Sequence, residues 1–177
     1  MRFRGIIAQK FTLAENRCVH IPDKIDLLIL RELQENARLP NVELAARVGL
    51  SPSACSRRLD ALEKSGTVEG YQAVISNKAI GQAITALVHI TLKAQSEDHL
   101  EKFERAVKAC PHIVTCFLMS GESDYLVRVN ARDMEHYEWI YKNWLSALPG
   151  VSRIQSSFAM RMVVNRANID VTMLDSA

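Results

Sequence analysis

The sequence predicts an α+β chain of two parts, a helical module over residues 23–76 and a sheet carrying two helices over residues 84–164. Three observations point there. Between residues 23 and 65, apolar residues recur at helical spacing in three short runs, each opened by a capping residue. From Ile84 onward the period changes to two, and four such stretches alternate with two helical stripes. Finally, 177 residues with 48% hydrophobic and 24% charged side chains suit an ordinary globular protein of one or two domains.

Residues 1–22 do not match the rest of the chain. Arg2 and Arg4 precede Ile6 and Ile7, but Gln9 and Lys10 break the apolar run before it reaches the length of a secretory core. We read them as an extension, mobile or packed on a neighbour. The first helix spans Asp23 to Asn36, with Ile25, Leu28, Ile29 and Leu33 on one stripe. Asp23 is its cap, and Asp26 adds negative charge to the first turn. Asn41 is the expected cap of a second helix whose inner face is Leu44, Ala45 and Val48. Gly49 supplies a turn. Ser51 caps a third helix, and Pro52 occupies its first position, where a missing N–H costs nothing. Cys55, Leu59 and Leu62 face inward. Ser53, Ser56, Arg57, Asp60 and Lys64 fall on the opposite side.

Two short helices around a tight turn, with small hydroxyls followed by arginines on the outer face, make a helix-turn-helix. Small residues let the second helix approach base edges, Arg pairs with guanine in two-pronged fashion, and Ser bonds bases or phosphates. A solvated amphipathic helix is the plainer alternative. Gly66 is expected to end this helix, and residues 67–75 to form a short hairpin, a wing. Charge is weakly supportive. Residues 1–76 carry 11 Lys and Arg against 9 Asp and Glu, a small excess for a DNA binder, which fits binding through several copies.

Residues 77–83 form a hinge. Ile84, Ala86, Val88, Ile90 and Leu92 then alternate with Thr85, His89, Thr91 and Lys93 on a half-buried strand. Ser96 caps a helix that buries Leu100, Phe103 and Val107 and stops at Pro111. Residues 113–119 and 125–131 are strands joined by the loop Ser120-Gly121-Glu122-Ser123-Asp124. Asp133 caps a second helix, with Met134, Tyr137, Tyr141, Trp144 and Leu148 on one side and Gly150 at its end. A long last strand covers residues 151–164, followed by a tail over 165–177. The order β-α-β-β-α-β is the ferredoxin-like arrangement, an antiparallel sheet with helices on one face. The other face needs a cover, and a second copy is the simplest one.

Chemistry-bearing clusters are few. Cys18, Cys55, Cys110 and Cys116 form no Cys-x-x-Cys pair and read as reduced thiols of a cytoplasmic protein. The histidines lack metal-ligand spacing, and Asp98-His99 with Glu101 reads as a solvated helix face. No nucleophile–base pair or paired carboxylates argue for an enzyme, and no cofactor or metal is expected. No apolar run approaches a membrane span, so no membrane partner is expected. In the loop, Gly121 lets successive amides point inward as a nest for a carboxylate, with Asp124 receiving an ammonium. The same residues also make a plain hairpin turn with Asp124 capping backbone.

The chain resembles the Lrp/AsnC (feast/famine) family of transcriptional regulators. The resemblance is carried by Asp26-x-x-Ile29-Leu30, Leu33-Gln34-Glu35-Asn36-Ala37-Arg38, Glu43-Leu44-Ala45-x-x-Val48-Gly49-Leu50-Ser51, Arg57-Arg58-Leu59-x-x-Leu62-Glu63-x-x-Gly66, Gly70-Tyr71 and Gly121-x-x-Asp124-Tyr125. It covers about residues 23–164. It implies an N-terminal winged helix-turn-helix domain followed by a ferredoxin-like βαββαβ sensor domain. It also implies double-stranded promoter DNA as partner, a homodimer assembling to an octamer, and a small effector, an amino acid or related metabolite, that changes assembly or DNA affinity. By position, the resemblance assigns DNA contacts to Ser51, Ser53, Ser56, Arg57 and Arg58, with Asn41 near phosphate. It assigns effector contacts to Ser120, Gly121, Glu122, Asp124, Tyr125, Met134, Ser157, Phe158 and Ala159. The alternatives are a ligand-independent DNA-organising protein and a ferredoxin-like metabolic enzyme.

Overall fold

A computed structural model describes residues 21–164; the expected extension over 1–22 and the tail over 165–177 lie almost entirely outside them. The described chain divides into a helical unit up to Ala73 and a sheet unit over Val74–Val164.

The helical unit opens with α1, Lys24–Glu35, held by a reciprocal cap. Asp26 N–H donates to the Asp23 carboxylate at 2.9 Å, and Asp23 N–H donates to the Asp26 carboxylate at 3.1 Å. The second helix, α2, covers Asn41–Arg47, and its cap is Pro40, one residue earlier than expected. Proline fixes an extended entry (φ −60°, ψ 143°), and Leu44 N–H closes the first turn on Pro40 O at 2.9 Å. Asn41 is thereby the first helical residue. Gly49 at φ 70° turns the chain, a conformation costly for any residue with a Cβ. The third helix, α3, covers Pro52–Ser65, with Ser51 Oγ accepting from Ala54 N–H at 3.3 Å and Gly66 ending it in the left-handed region. Ile29, Leu33, Leu44, Ala45, Val48, Cys55 and Leu62 form the core.

The expected hairpin over residues 67–75 is absent: no strand forms there. A two-stranded ribbon is marginal without an apolar face to bury. Val74 and Ile75 remain exposed, and the Tyr71 hydroxyl donates to Glu63 on α3 at 2.8 Å instead.

The sheet unit runs β1 (Ile84–Leu92), α4 (Glu97–Ala109), β2 (Ile113–Leu118), β3 (Tyr125–Ala131), α5 (Met134–Ile140) and β4 (Val151–Phe158). The spatial order is β2-β3-β1-β4 with every neighbouring pair antiparallel. Ala86, Val88, Ile90, Tyr125, Val127 and Val129 face the helices and pack on Phe103, Tyr137, Ile140 and Leu145. Two elements differ from expectation. The helix after Asp133 widens into a π-helical turn at Tyr141–Leu145, with Ser146 N–H reaching Tyr141 O. That shift turns Leu145 and Leu148 inward and leaves Met134 and Tyr141 outside. β4 ends at Phe158 rather than continuing to 164. Phe158 pairs with Ala86 and Ala159 N–H donates to Thr85 O, and β1 has almost no chain left beyond that point to pair with. On the face away from the helices lie Leu87, His89 and Thr91 of β1, Leu126 and Arg128 of β3, Phe117 of β2 and Arg153, Gln155 and Ser157 of β4.

Candidate functional site

On α3 the expected DNA-facing residues separate into two groups. Ser53, Ser56 and Arg57 are exposed, and Arg57 has no ion-pair partner among the described residues. The rest turn toward the protein. Arg58 Nη1 lies 2.7 Å from the Asp23 carboxylate and 2.9 Å from that of Asp26, whose side chain is fully buried. A buried carboxylate needs a cation or donors, and Arg58 is the residue of α3 within reach. Its guanidinium is held even more firmly protonated than usual by these bonds, to Asp23 first and Asp26 second. Asn41 donates its amide to Pro52 O at 2.8 Å, so it locks α2 to the start of α3 rather than standing free. Ser51 Oγ is engaged by Ala54 N–H and lies 3.3 Å from Ser53 Oγ. Arg47, another cation of this unit, pairs with Glu32 at 3.0 Å and Glu43 at 2.7 Å. The outward face is therefore two hydroxyls and one unpaired guanidinium near the positive end of a 14-residue helix.

In the sheet unit the loop between β2 and β3 folds back on β1. Asp124 is buried; its carboxylate accepts from Leu92 N–H at 2.7 Å and from Gln95 Nε2 at 2.6 Å, and its own N–H donates to Ile90 O at 2.9 Å. Of the two readings open for this loop, the structure has the backbone-capping one, so Asp124 does not present a carboxylate to an ammonium. Tyr125 is likewise a core residue, 4.4 Å from Phe103 between ring centroids, with its hydroxyl donating to Glu104 at 3.0 Å. Burial and that carboxylate raise the phenol's pKa. Met134 is exposed on α5, Phe158 packs edge-on against Tyr137, and Ser157 and Ala159 are exposed at the far end of β4.

What the loop does build is a cavity of about 370 Å3 on the open face of the sheet, lined by His89, Thr91, Glu122, Ser123, Arg153 and Gln155. Glu122 alone among the expected effector residues lines it; Ser120 and Gly121 are exposed beside it. The alternation of β1 already put His89 and Thr91 on this face. Arg153 and Gln155 enter through the β1–β4 register, which sets Arg153 opposite Thr91 and Gln155 opposite His89. His89 Nδ1 lies 3.1 Å from Ser123 Oγ, tying the loop to the strand.

Comparison with known proteins accounts for both units. A family profile for the Lrp/AsnC ligand binding domain matches residues 85–169, and one for winged helix-turn-helix DNA-binding matches residues 22–69. The Bkd operon transcriptional regulator of Pseudomonas aeruginosa is 37% identical over 145 residues, 82% of this chain and 95% of that one. This chain belongs to the Lrp/AsnC family of transcriptional regulators. The leucine-responsive regulatory protein of Escherichia coli K12 is 38% identical over 141 residues, 80% of this chain and 86% of that one. Among solved structures, a transcriptional regulator of Neisseria meningitidis in complex with L-Met aligns with TM-score 0.81 and 36% identity, over 86% of this chain and 98% of that one. As an Lrp/AsnC regulator the chain carries its DNA-binding element in the helical unit and its ligand-binding domain in the sheet unit. Among the described residues no helix is long and apolar enough to cross a membrane.

Proposed function

We propose that this regulator acts in the cytoplasm on promoters of amino-acid metabolism, reading DNA through α3 as a homodimer and responding to an amino acid bound in the sheet unit. The observation that carries the DNA reading is the division of labour on α3. Arg58, Asn41 and Ser51 orient the helix, while Ser53, Ser56 and Arg57 face outward. Two exposed hydroxyls followed by an unpaired arginine suit phosphate and base-edge contact in the major groove.

The second copy belongs on the open face of the sheet, where Leu87 and Phe117 are exposed beside half-buried Leu126. Apolar side chains on an unshielded sheet face favour self-association, and a twofold dimer is the simplest closed form. Higher assembly to an octamer extends the same reading. The leucine-responsive name of one relative and the L-Met in another support an amino acid as effector. An effector acts only through its differential affinity for the two states, typically about 1–3 kcal/mol of coupling.

A gel-shift titration on promoter DNA with inverted half-sites, repeated over a salt series, tests the DNA reading. Arg57→Ala is expected to weaken binding and to reduce the salt slope by about one for each phosphate that Arg57 neutralises. Unchanged affinity and slope would remove Arg57 from the interface and α3 from the groove.

A further inference from the structure

The cavity on the open face of the sheet contains two opposite charges that do not meet. Arg153 on β4 and Glu122 on the β2–β3 loop line the same space, yet no ion pair joins them or links either to another of the described residues. Arg153 donates to Gln155 Oε1 at 3.2 Å, which leaves most of its five N–H donors for another acceptor. Their positions are set by rigid elements. Arg153 sits in register opposite Thr91 on β1, and the loop is fastened by Asp124 to Leu92 and Gln95 and by Ser123 to His89. The remaining walls, His89, Thr91, Ser123 and Gln155, are neutral or titratable hydrogen-bonding groups.

A cation and an anion held apart across one small cavity select a ligand that carries both charges at fixed separation. About 370 Å3 lies near the lower end of the ~300–1,000 Å3 range of small-molecule sites, which suits a single metabolite. A nucleotide would set phosphates against Glu122. A long aliphatic side chain would leave the polar walls unpaired, which a buried site tolerates badly.

We propose that this cavity is the effector site and that it takes an L-amino acid with a polar side chain. The α-carboxylate sits on the Arg153 guanidinium, the α-ammonium on the Glu122 carboxylate, and the side chain among His89, Thr91 and Gln155. This assignment rests on the effector-responsive reading above and gives that reading its residues. It also displaces the site from Met134, Ser157, Phe158 and Ala159, none of which lines the cavity. Asp124 becomes a positioning residue that holds the loop. His89 shares its row of the open face with Leu126 and Phe117, so a ligand on His89 lies beside the surface assigned to the second copy.

The experiment is a thermal-shift screen of the full chain against the proteinogenic L-amino acids added singly. It is followed by calorimetric titration of Arg153→Ala and Glu122→Gln with each amino acid that shifts the wild type. Both side chains are exposed, so both variants are expected to fold and to keep promoter binding. The expected result is a shift by one or more polar amino acids, with affinity about ten- to a hundredfold weaker in each variant. The carboxyl-amidated form of the same amino acid should bind wild type and Arg153→Ala alike, because it has no carboxylate for the arginine to hold. An amino acid that binds wild type and both variants equally would overturn the cavity as the site while leaving amino-acid sensing intact. Preference for L-leucine or L-methionine over every polar amino acid would overturn the side-chain assignment. No shift with any amino acid would overturn the effector reading itself.

Discussion

Arg58→Ala separates an arginine that supports the recognition helix from one that reads DNA. In the wild type the Arg58 guanidinium bridges Asp23 and Asp26, the two residues that cap α1 reciprocally, and so ties α3 to the start of α1. The Asp26 side chain is fully buried, while that of Arg58 keeps 35% of its surface. Removing one member of a wholly buried pair costs about 3–5 kcal/mol because the other charge loses its partner without regaining water. Here the outer side of the bridge is wet, so water enters where the guanidinium was, and the cost falls to about 1–3 kcal/mol. For a small unit that lowers the melting temperature by roughly 5–15 °C. The measurement is thermal unfolding followed by circular dichroism, with Arg57→Ala as the control. Arg57→Ala is expected to melt with the wild type and bind promoter DNA weakly. Arg58→Ala is expected to melt early and, below its transition, to retain most of its affinity. The pair also has a pH signature. The Asp23 carboxyl is held below its ordinary 3.8, chiefly by the Asp26 N–H and then by Arg58. A carboxyl whose pKa is lowered on folding contributes stability that is whole above its unfolded value and is lost as pH falls through the lower folded value. The stability gap between wild type and Arg58→Ala should therefore close on acidification below pH 3.8. A variant that melts with the wild type at neutral pH, or a gap that widens in acid, would refute the bridge.

Other expectations rest on neighbouring parts of the molecule. Asp124→Ala leaves the Leu92 N–H and the Gln95 amide without their acceptor and frees the β2–β3 loop. It should cost about 1–3 kcal/mol in denaturant unfolding and loosen the loop in hydrogen exchange, even with no ligand added. Leu145→Ala empties a fully buried position below the π-helical turn and should cost about 2–5 kcal/mol by the same unfolding measurement. Replacing Phe117 on the open face by Lys should shift sedimentation toward the monomer while leaving secondary structure unchanged.

Much of the fold was legible in the chain because its elements are signalled locally. Asp23, Ser51 and Asp133 are the caps the sequence predicts, since capping depends on residues three apart. The failures share a cause. Pro40 displaced Asn41 as a cap because the backbone constraint of proline outweighed a side-chain preference. The hairpin over 67–75 had the right turn residues but nothing to bury. The last strand had alternating residues to its end, but no neighbour past Thr85. On α3, helical spacing told inner from outer face, but it put Arg58 on the wrong side of that line, because nothing local tells an arginine facing solvent from one facing a buried carboxylate 32 residues away.

The sequence by itself determined that three capped helices precede a β-α-β-β-α-β sheet, and hence the family. Each of those statements rests on spacings within one turn or one strand. Only the tertiary structure decided that Asp124 and Tyr125 are internal supports, that one guanidinium of α3 braces while the other faces outward, and that Arg153 and Gln155 stand beside His89, Thr91 and Glu122. These depend on which strand lies next to which, and in what register. Hydrogen bonds between backbones far apart in the chain set that register, and no local pattern encodes it.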